Sequence, residues 1–182
     1  LDQSAIALGG VSYIDFKSTT EPAVESIEWK FSGVDIVITN TGGDHCDLTH
    51  CYADIRKEME QVADCLGGKT LRDIDEASFY SALPILQDKV SGRALLRAIH
   101  YFDENKRVDE GANAIKDGDL DKFAQVIASS GISSYTMLQN CYAEEDKVQR
   151  IPLGIGLSKK CNGVKAVRVH GGGFAGTILA LV

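Results

Sequence analysis

Ala166-Val-Arg-Val-His-Gly-Gly-Gly-Phe-Ala-Gly-Thr-Ile-Leu-Ala-Leu-Val182 sets two short apolar runs of strand character on either side of a loop with four glycines. Gly171, Gly173 and Gly176 spell G-x-G-x-x-G. A dinucleotide site built on that spelling needs a crossover helix after the loop and an acidic residue about 20 positions on. Only residues 177 to 182 follow Gly176 in this chain, so that reading fails. A protein-kinase glycine loop fails likewise, because its lysine strand and catalytic loop would lie downstream. The stretch therefore predicts a strand, glycine loop, strand unit. Residues without Cβ let its backbone take φ > 0 and approach a ligand or a neighbouring loop closely. A tight hairpin turn with no ligand remains the plainer alternative.

Upstream, Val34 to Thr39 is an apolar strand, and Val11 to Phe16 and Ile27 to Phe31 read as strands joined by the Ser18-Thr-Thr-Glu-Pro22 turn. After Thr49 the spacing puts Tyr52, Ile55, Met59, Val62, Ala63 and Leu66 on one helix face, which stops at Gly67-Gly68. A short helix is expected from Ser78 to about Leu83, ended by Pro84. Arg93 to Lys116 carries Leu95, Leu96, Ile99, Phe102 and Val108 at helical spacing, and Asp119 reads as the N-cap of a helix burying Leu120, Phe123, Val126 and Ile127. Strands at both ends with helices between predict an α+β fold with a mostly antiparallel sheet.

Composition narrows the function classes. With 182 residues and 44% hydrophobic content the chain can bury a core without staples. A formal net charge of -7 argues against nucleic-acid binding, which needs basic patches. No apolar run approaches about 18 residues and no signal core is present, so no membrane partner and a cytoplasmic location are expected. Five cysteines without CxxC spacing suit reduced thiols. His45, Cys46, His50 and Cys51 make a soft-ligand cluster, but its spacing matches no structural zinc template, and no metal site is assigned. Asp44, Asp47 and Asp54 read as a solvated helix entrance, His100 as a satisfied semi-buried histidine, and His170 as a neighbour of the glycine loop placed to meet whatever that loop binds.

The glycine unit resembles the third motif of the GHMP small-molecule kinases in its galactokinase form, spelled close to G-A-R-M-T-G-A-G-F-G-G-C. Arg168, Gly171, Gly173, Phe174 and Gly176 match it; His170 stands for Thr, Gly172 for Ala, Ala175 for Gly and Thr177 for Cys. Leu1-Asp2-Gln3 is similar to the family's G-I-M-D-Q segment, and Asn40-Thr41 to its strand ending in N-T or N-S. Tyr52 and Arg56 match Y-x-x-R-R with one inserted residue and the second arginine unmatched. The D-H-x-D-L-T spelling of residues 44–49 looks most like clostridial-type galactokinases. Arg97, His100, Glu104, Arg107 and Val108 fit R-x-x-H-x-x-x-E-x-x-R-V; Ser130 and Ser133 fit S-H-x-S, with Gly131 where the family has His.

The resemblance implies a GHMP kinase C-terminal domain over residues 33–182, ferredoxin-like with helices on one face of the sheet. Residues 1–32 would be the tail of the N-terminal kinase domain. It implies ATP-dependent phosphorylation of galactose at the anomeric hydroxyl, with Asp2 as catalytic and sugar-binding residue and Tyr52 holding the sugar. Gly171, Gly172, Gly173, Phe174 and Gly176 would form an active-site loop. Without the resemblance, Asp2 reads as an exposed charge on a frayed terminus and Tyr52, by its spacing, as a core residue. The family's G-E-H-x-D and P-x-G-x-G-L-S-S-S-A segments are absent, so Mg2+ and ATP are expected to be bound by an N-terminal half outside this chain. The chain is accordingly expected to be a piece of a longer protein, inactive alone. Kinases for N-acetylgalactosamine or arabinose, and a non-catalytic sugar sensor, remain open alternatives.

Overall fold

A computed structural model describes residues 6–18, 20–42, 48–143 and 146–182. Among the described residues the first strands form a hairpin of β1 (Val11–Asp15) and β2 (Ala23–Ile27), antiparallel in the register Val11 with Ile27 and Asp15 with Ala23. Strand β2 starts four residues earlier than the sequence predicts, directly after Pro22, which is tolerated at a strand entrance. Residues 28–31 leave the ladder because their aromatics have better partners than a strand edge. Trp29, Phe31 and Phe123 form a triangle with centroids 4.9, 5.7 and 5.4 Å apart.

A second sheet holds β3 (Ile36–Asn40), β4 (Ala166–His170) and β5 (Thr177–Leu181) in the order β3-β5-β4, every pair antiparallel. The glycine unit thus forms the β4–β5 hairpin, with β5 as the central strand. Strand β3 lies at the edge, and all five of its residues are exposed despite their apolar run.

Among the described residues the α-helices that follow the β1–β2 hairpin are α1 (Thr49–Cys65), α2 (Glu76–Leu86), α3 (Gly92–Asp117), α4 (Leu120–Ser133) and α5 (Arg150–Ser158). Side-chain caps start three of them: the carboxylate of Asp75 accepts from the Ser78 amide at 2.9 Å, Ser91 from Ala94 at 3.1 Å and Asp119 from Lys122 at 2.9 Å. Gly118, at φ 71°, ends α3 in the left-handed conformation that a residue without Cβ adopts at least cost. Helix α2 runs three residues past the expected stop at Leu83 and contains Pro84. The proline lacks one amide, but the Gln87 amide still reaches the Leu83 carbonyl at 3.1 Å, and Leu86 buries its side chain to 2% exposure.

Alternation along β4 and β5 divides the packing. Ala166 and Leu181 join Ile27, Val34, Ile115 and Phe123 in a core shared with α3, α4 and the first hairpin. Val167, Val169, Ile178 and Ala180 face the other way and pack with Ile151 and Ile155 of α5, a helix the sequence reading did not anticipate. A third cluster joins α1, α2 and α3 through Val62, Phe79, Leu86, Ala98 and Phe102.

Candidate functional site

The β4–β5 connection is a loop whose conformation only a glycine-rich sequence can hold. Gly171, Gly173 and Gly176 have φ of 71°, 84° and 94°. Phe174 shares the left-handed region at 59°, a cost for a bulky residue that its surroundings offset. Its side chain is 4% exposed among Leu48, Ala143 and Ala175, and it meets the Tyr52 ring edge-on at 5.2 Å.

Three side chains from different elements grip the loop's carbonyls. Tyr52 of α1 donates its hydroxyl to the Gly173 oxygen at 2.7 Å. The Asn140 amide donates to the Gly172 oxygen at 3.0 Å, while the Asn140 carbonyl accepts the Phe174 amide at 2.5 Å. Thr41, just beyond β3, donates both its amide, at 2.8 Å, and its hydroxyl, at 2.7 Å, to the Gly176 oxygen. The approach is close enough to forbid side chains: a Cβ on Gly173 would lie 2.1 Å from the Asn140 oxygen, and one on Gly172 would lie 2.8 Å from the Tyr52 ring. At Gly172, where the resembled motif has alanine, the Tyr52 ring occupies the space. Burial raises the pKa of the Tyr52 phenol, which keeps it protonated as a donor.

The structure therefore brings Tyr52 and the loop residues Gly171, Gly172, Gly173, Phe174 and Gly176 into one unit. Asp2 lies outside the described residues, as do His45, Cys46, Asp44 and Asp47. Arg56 projects into solvent and pairs with Glu60 at 2.7 Å. His170 and Thr177, both departures from the resembled motif, face each other in the strand register and bond Nδ1 to Oγ1 at 3.0 Å, closing the base of the loop. His100 is buried, with Nδ1 2.9 Å from the Ser133 hydroxyl. Gly131 lies against β4, where a Cβ would sit 2.9 Å from both the Val167 oxygen and the Arg168 Cβ; the space of the resembled histidine is filled by the strand.

Sequence reasoning missed Asn140. It is 2% exposed and follows a π-helical turn over Ser134–Leu138 that ends with Gln139 at φ 57°. No motif marks it, because its contact with the loop spans 32 positions.

Beside the loop, a cavity of about 620 Å³ opens between the first turns of α1 and α3 and the π-helical turn. Phe174 forms part of its wall, and Asp54, Arg93 and Arg97 supply charge. Behind it Glu58 accepts from Arg93 at 2.6 and 2.8 Å and from Arg97 at 2.8 Å. At Arg97, 2% exposed, burial outweighs this partner and lowers the pKa; at the more exposed Arg93 the Glu58 hydrogen bond dominates and raises it.

No family model matches the chain. Individual proteins do. A galacturonokinase of Arabidopsis thaliana is 31% identical over the whole chain, which spans 43% of that protein. A galactokinase of Actinobacillus pleuropneumoniae is 34% identical over 82% of the chain and is itself covered to 38%. Among solved structures, a Lactococcus lactis galactokinase complexed with galactose shares the fold over 96% of this chain and 44% of its own, with TM-score 0.74 and 22% identity. The chain thus spans less than half the length of each of these proteins. Along its whole length it is homologous to galactokinase-type sugar kinases, and its fold is that of the GHMP C-terminal domain, so it fits the C-terminal half of such a kinase.

Proposed function

We propose that this chain is the C-terminal half of an ATP-dependent kinase that converts galactose to galactose 1-phosphate. The reading rests on whole-chain similarity to sugar kinases together with one observation: Tyr52, the matched sugar residue, is locked to the glycine loop through the Gly173 carbonyl. In this reading Asp2 takes or orients the anomeric hydroxyl proton as the oxygen attacks the γ-phosphorus of ATP and the bond to the β,γ-bridging oxygen breaks, with ADP as the leaving group. The phenol of Tyr52 has committed its proton to Gly173, so its part toward a sugar hydroxyl is that of acceptor. The Gly171–Gly176 loop, braced by Asn140 and Thr41, presents a rigid backbone to the phosphate-binding loop of the N-terminal half. Positioning and charge stabilisation carry most of phosphoryl transfer. Mg2+, which would neutralise phosphate charge, and ATP are assigned to that other half. Among the described residues no three His, Cys, Asp or Glu side chains are arranged to hold a metal. Residues 1–32 are assigned to the tail of the N-terminal domain.

A second reading is a uronic-acid kinase. It is supported by the 31% identity to the galacturonokinase over the whole chain, against 25% to a Thermotoga petrophila galactokinase over a comparable span, and set against the 34% identity to the Actinobacillus galactokinase over 82% of the chain. ADP release is to be measured with Mg-ATP and galactose, galacturonic acid, N-acetylgalactosamine or arabinose, on the chain alone and on a protein joining it to an N-terminal half. Galactose turnover only by the joined protein is expected. Preference for galacturonic acid selects the second reading, and turnover by the chain alone overturns the assignment of ATP to the other half.

A further inference from the structure

A second cavity, of about 410 Å³, lies between the β1–β2 hairpin, α3, α4 and β4. Most of its wall is apolar, including Ile27, Val108, Ile115 and Phe123, but one end is polar. There the Glu104 carboxylate accepts from Arg107 Nε at 2.7 Å, from the Ser130 hydroxyl, and from Arg168 Nη1 at 3.4 Å; Arg168 also donates to Ser130 at 2.6 Å. Two guanidiniums thus face a single carboxylate, and arginine stays charged at any working pH. Neighbouring His100 adds no further positive charge, because burial favours its neutral form. Glu110 does not restore the balance, being exposed and held by Lys122 at 2.7 Å. Within a chain of formal net charge -7, the lining of this partly buried corner carries one positive charge in excess; Asp109, which accepts from the Tyr13 hydroxyl at 2.9 Å, is exposed and lies outside that lining.

Two polar atoms in the same wall are left over. Arg107 Nη2 and Ser12 Oγ are both buried with no hydrogen-bond partner among the described residues. An unpaired buried donor, above all on a charged group, is costly and marks a place where a partner belongs. The volume falls in the range of small-ligand pockets, which are mostly apolar with a few convergent polar groups.

We propose that this cavity binds a small amphipathic monocarboxylate. The carboxylate would accept from Arg107 Nη2 and Ser12 Oγ, and the apolar body would lie along Ile27, Val108 and Phe123. A single excess charge matches a monoanion better than a doubly charged phosphate. The site is separate from the glycine loop, and the proposal does not depend on the sugar-kinase reading.

Octanoate is the probe, titrated calorimetrically into the protein carrying this chain, with octanol and octyl phosphate as comparisons. Saturable 1:1 octanoate binding is expected, with octanol at least about tenfold weaker. Arg107→Gln should weaken octanoate by about ten- to a hundredfold, the value of a hydrogen bond to a charged group. Because that variant also removes a partner of Glu104, Ser12→Ala is the second. It deletes an unpaired hydroxyl without disturbing the network and should weaken octanoate a few-fold without lowering the unfolding midpoint. No octanoate binding, equal octanol binding, or wild-type affinity in both variants overturns the site. Tighter binding of octyl phosphate overturns the monocarboxylate assignment.

Discussion

Gly173→Ala tests directly whether the loop is held as described. Alanine at φ 84° carries the left-handed penalty of about 1–2 kcal/mol. Its Cβ would also lie 2.1 Å from a backbone oxygen and 2.7 Å from the Asn140 amide nitrogen, so no side-chain rotation can relieve the overlap. Overpacking of this kind costs about 1–3 kcal/mol. The Asn140 backbone must withdraw, which forfeits its bond from the Phe174 amide, a further 0.5–1.5 kcal/mol or so. The total comes to about 2.5–6.5 kcal/mol. Gly171→Ala is the internal control: φ is 71°, but nothing lies within 4 Å of its Cβ, so only the left-handed penalty of about 1–2 kcal/mol applies. Urea denaturation of both variants beside the parent isolates the steric contribution as their difference, expected to be about 1.5 kcal/mol or more. Equal destabilisation of the two would refute the close approach of Asn140 to the loop.

Glu58→Gln leaves Arg93 and the buried Arg97 without their shared carboxylate; a loss of about 3–5 kcal/mol in unfolding free energy is expected, and a loss below 1 would mean that solvent reaches Arg97. His100 is buried with its pKa lowered from 6.5, chiefly by desolvation, so the unfolded chain binds the proton more readily. The stability it contributes is therefore complete above pH 6.5 and declines as pH falls below it, and His100→Asn should flatten this part of the urea-midpoint profile between pH 7.5 and 5. Burial pushes the Cys141 thiol up to about 12, whereas Cys65 and Cys161 are exposed. Iodoacetamide followed by mass spectrometry should label Cys65 and Cys161 in the native protein and reach Cys141 only in urea; equal labelling would contradict the packing of that segment.

Most helices were legible because their signals are local. Asp119, read as an N-cap, satisfies the amide three residues on, as do Asp75 and Ser91, which the sequence reading did not single out; the apolar spacing of α1, α3 and α4 follows from 3.6 residues per turn. The strand, glycine loop, strand unit was legible for the same reason: positive φ at three of its glycines is a demand each position makes on its own residue. Where competing partners lay far along the chain, the reading shifted. Residues 28–31 looked like strand until Phe123 drew Trp29 and Phe31 out of the ladder, and α2 passed Pro84 because packing around Leu86 outweighed one missing amide.

The sequence by itself determined the classes of its parts, a glycine hairpin at one end and amphipathic helices between, because each rests on contacts within a turn or two. It also carried the family resemblance, since motifs are strings. Only the tertiary structure decided what holds the loop. Tyr52, Asn140 and Thr41 converge on it from 121, 32 and 135 positions away. It alone also showed that Arg107 and Arg168 face one carboxylate beside an apolar cavity. Such pairings depend on how helices and sheet stack, and that depends on the whole core at once; no spacing in a linear string records it.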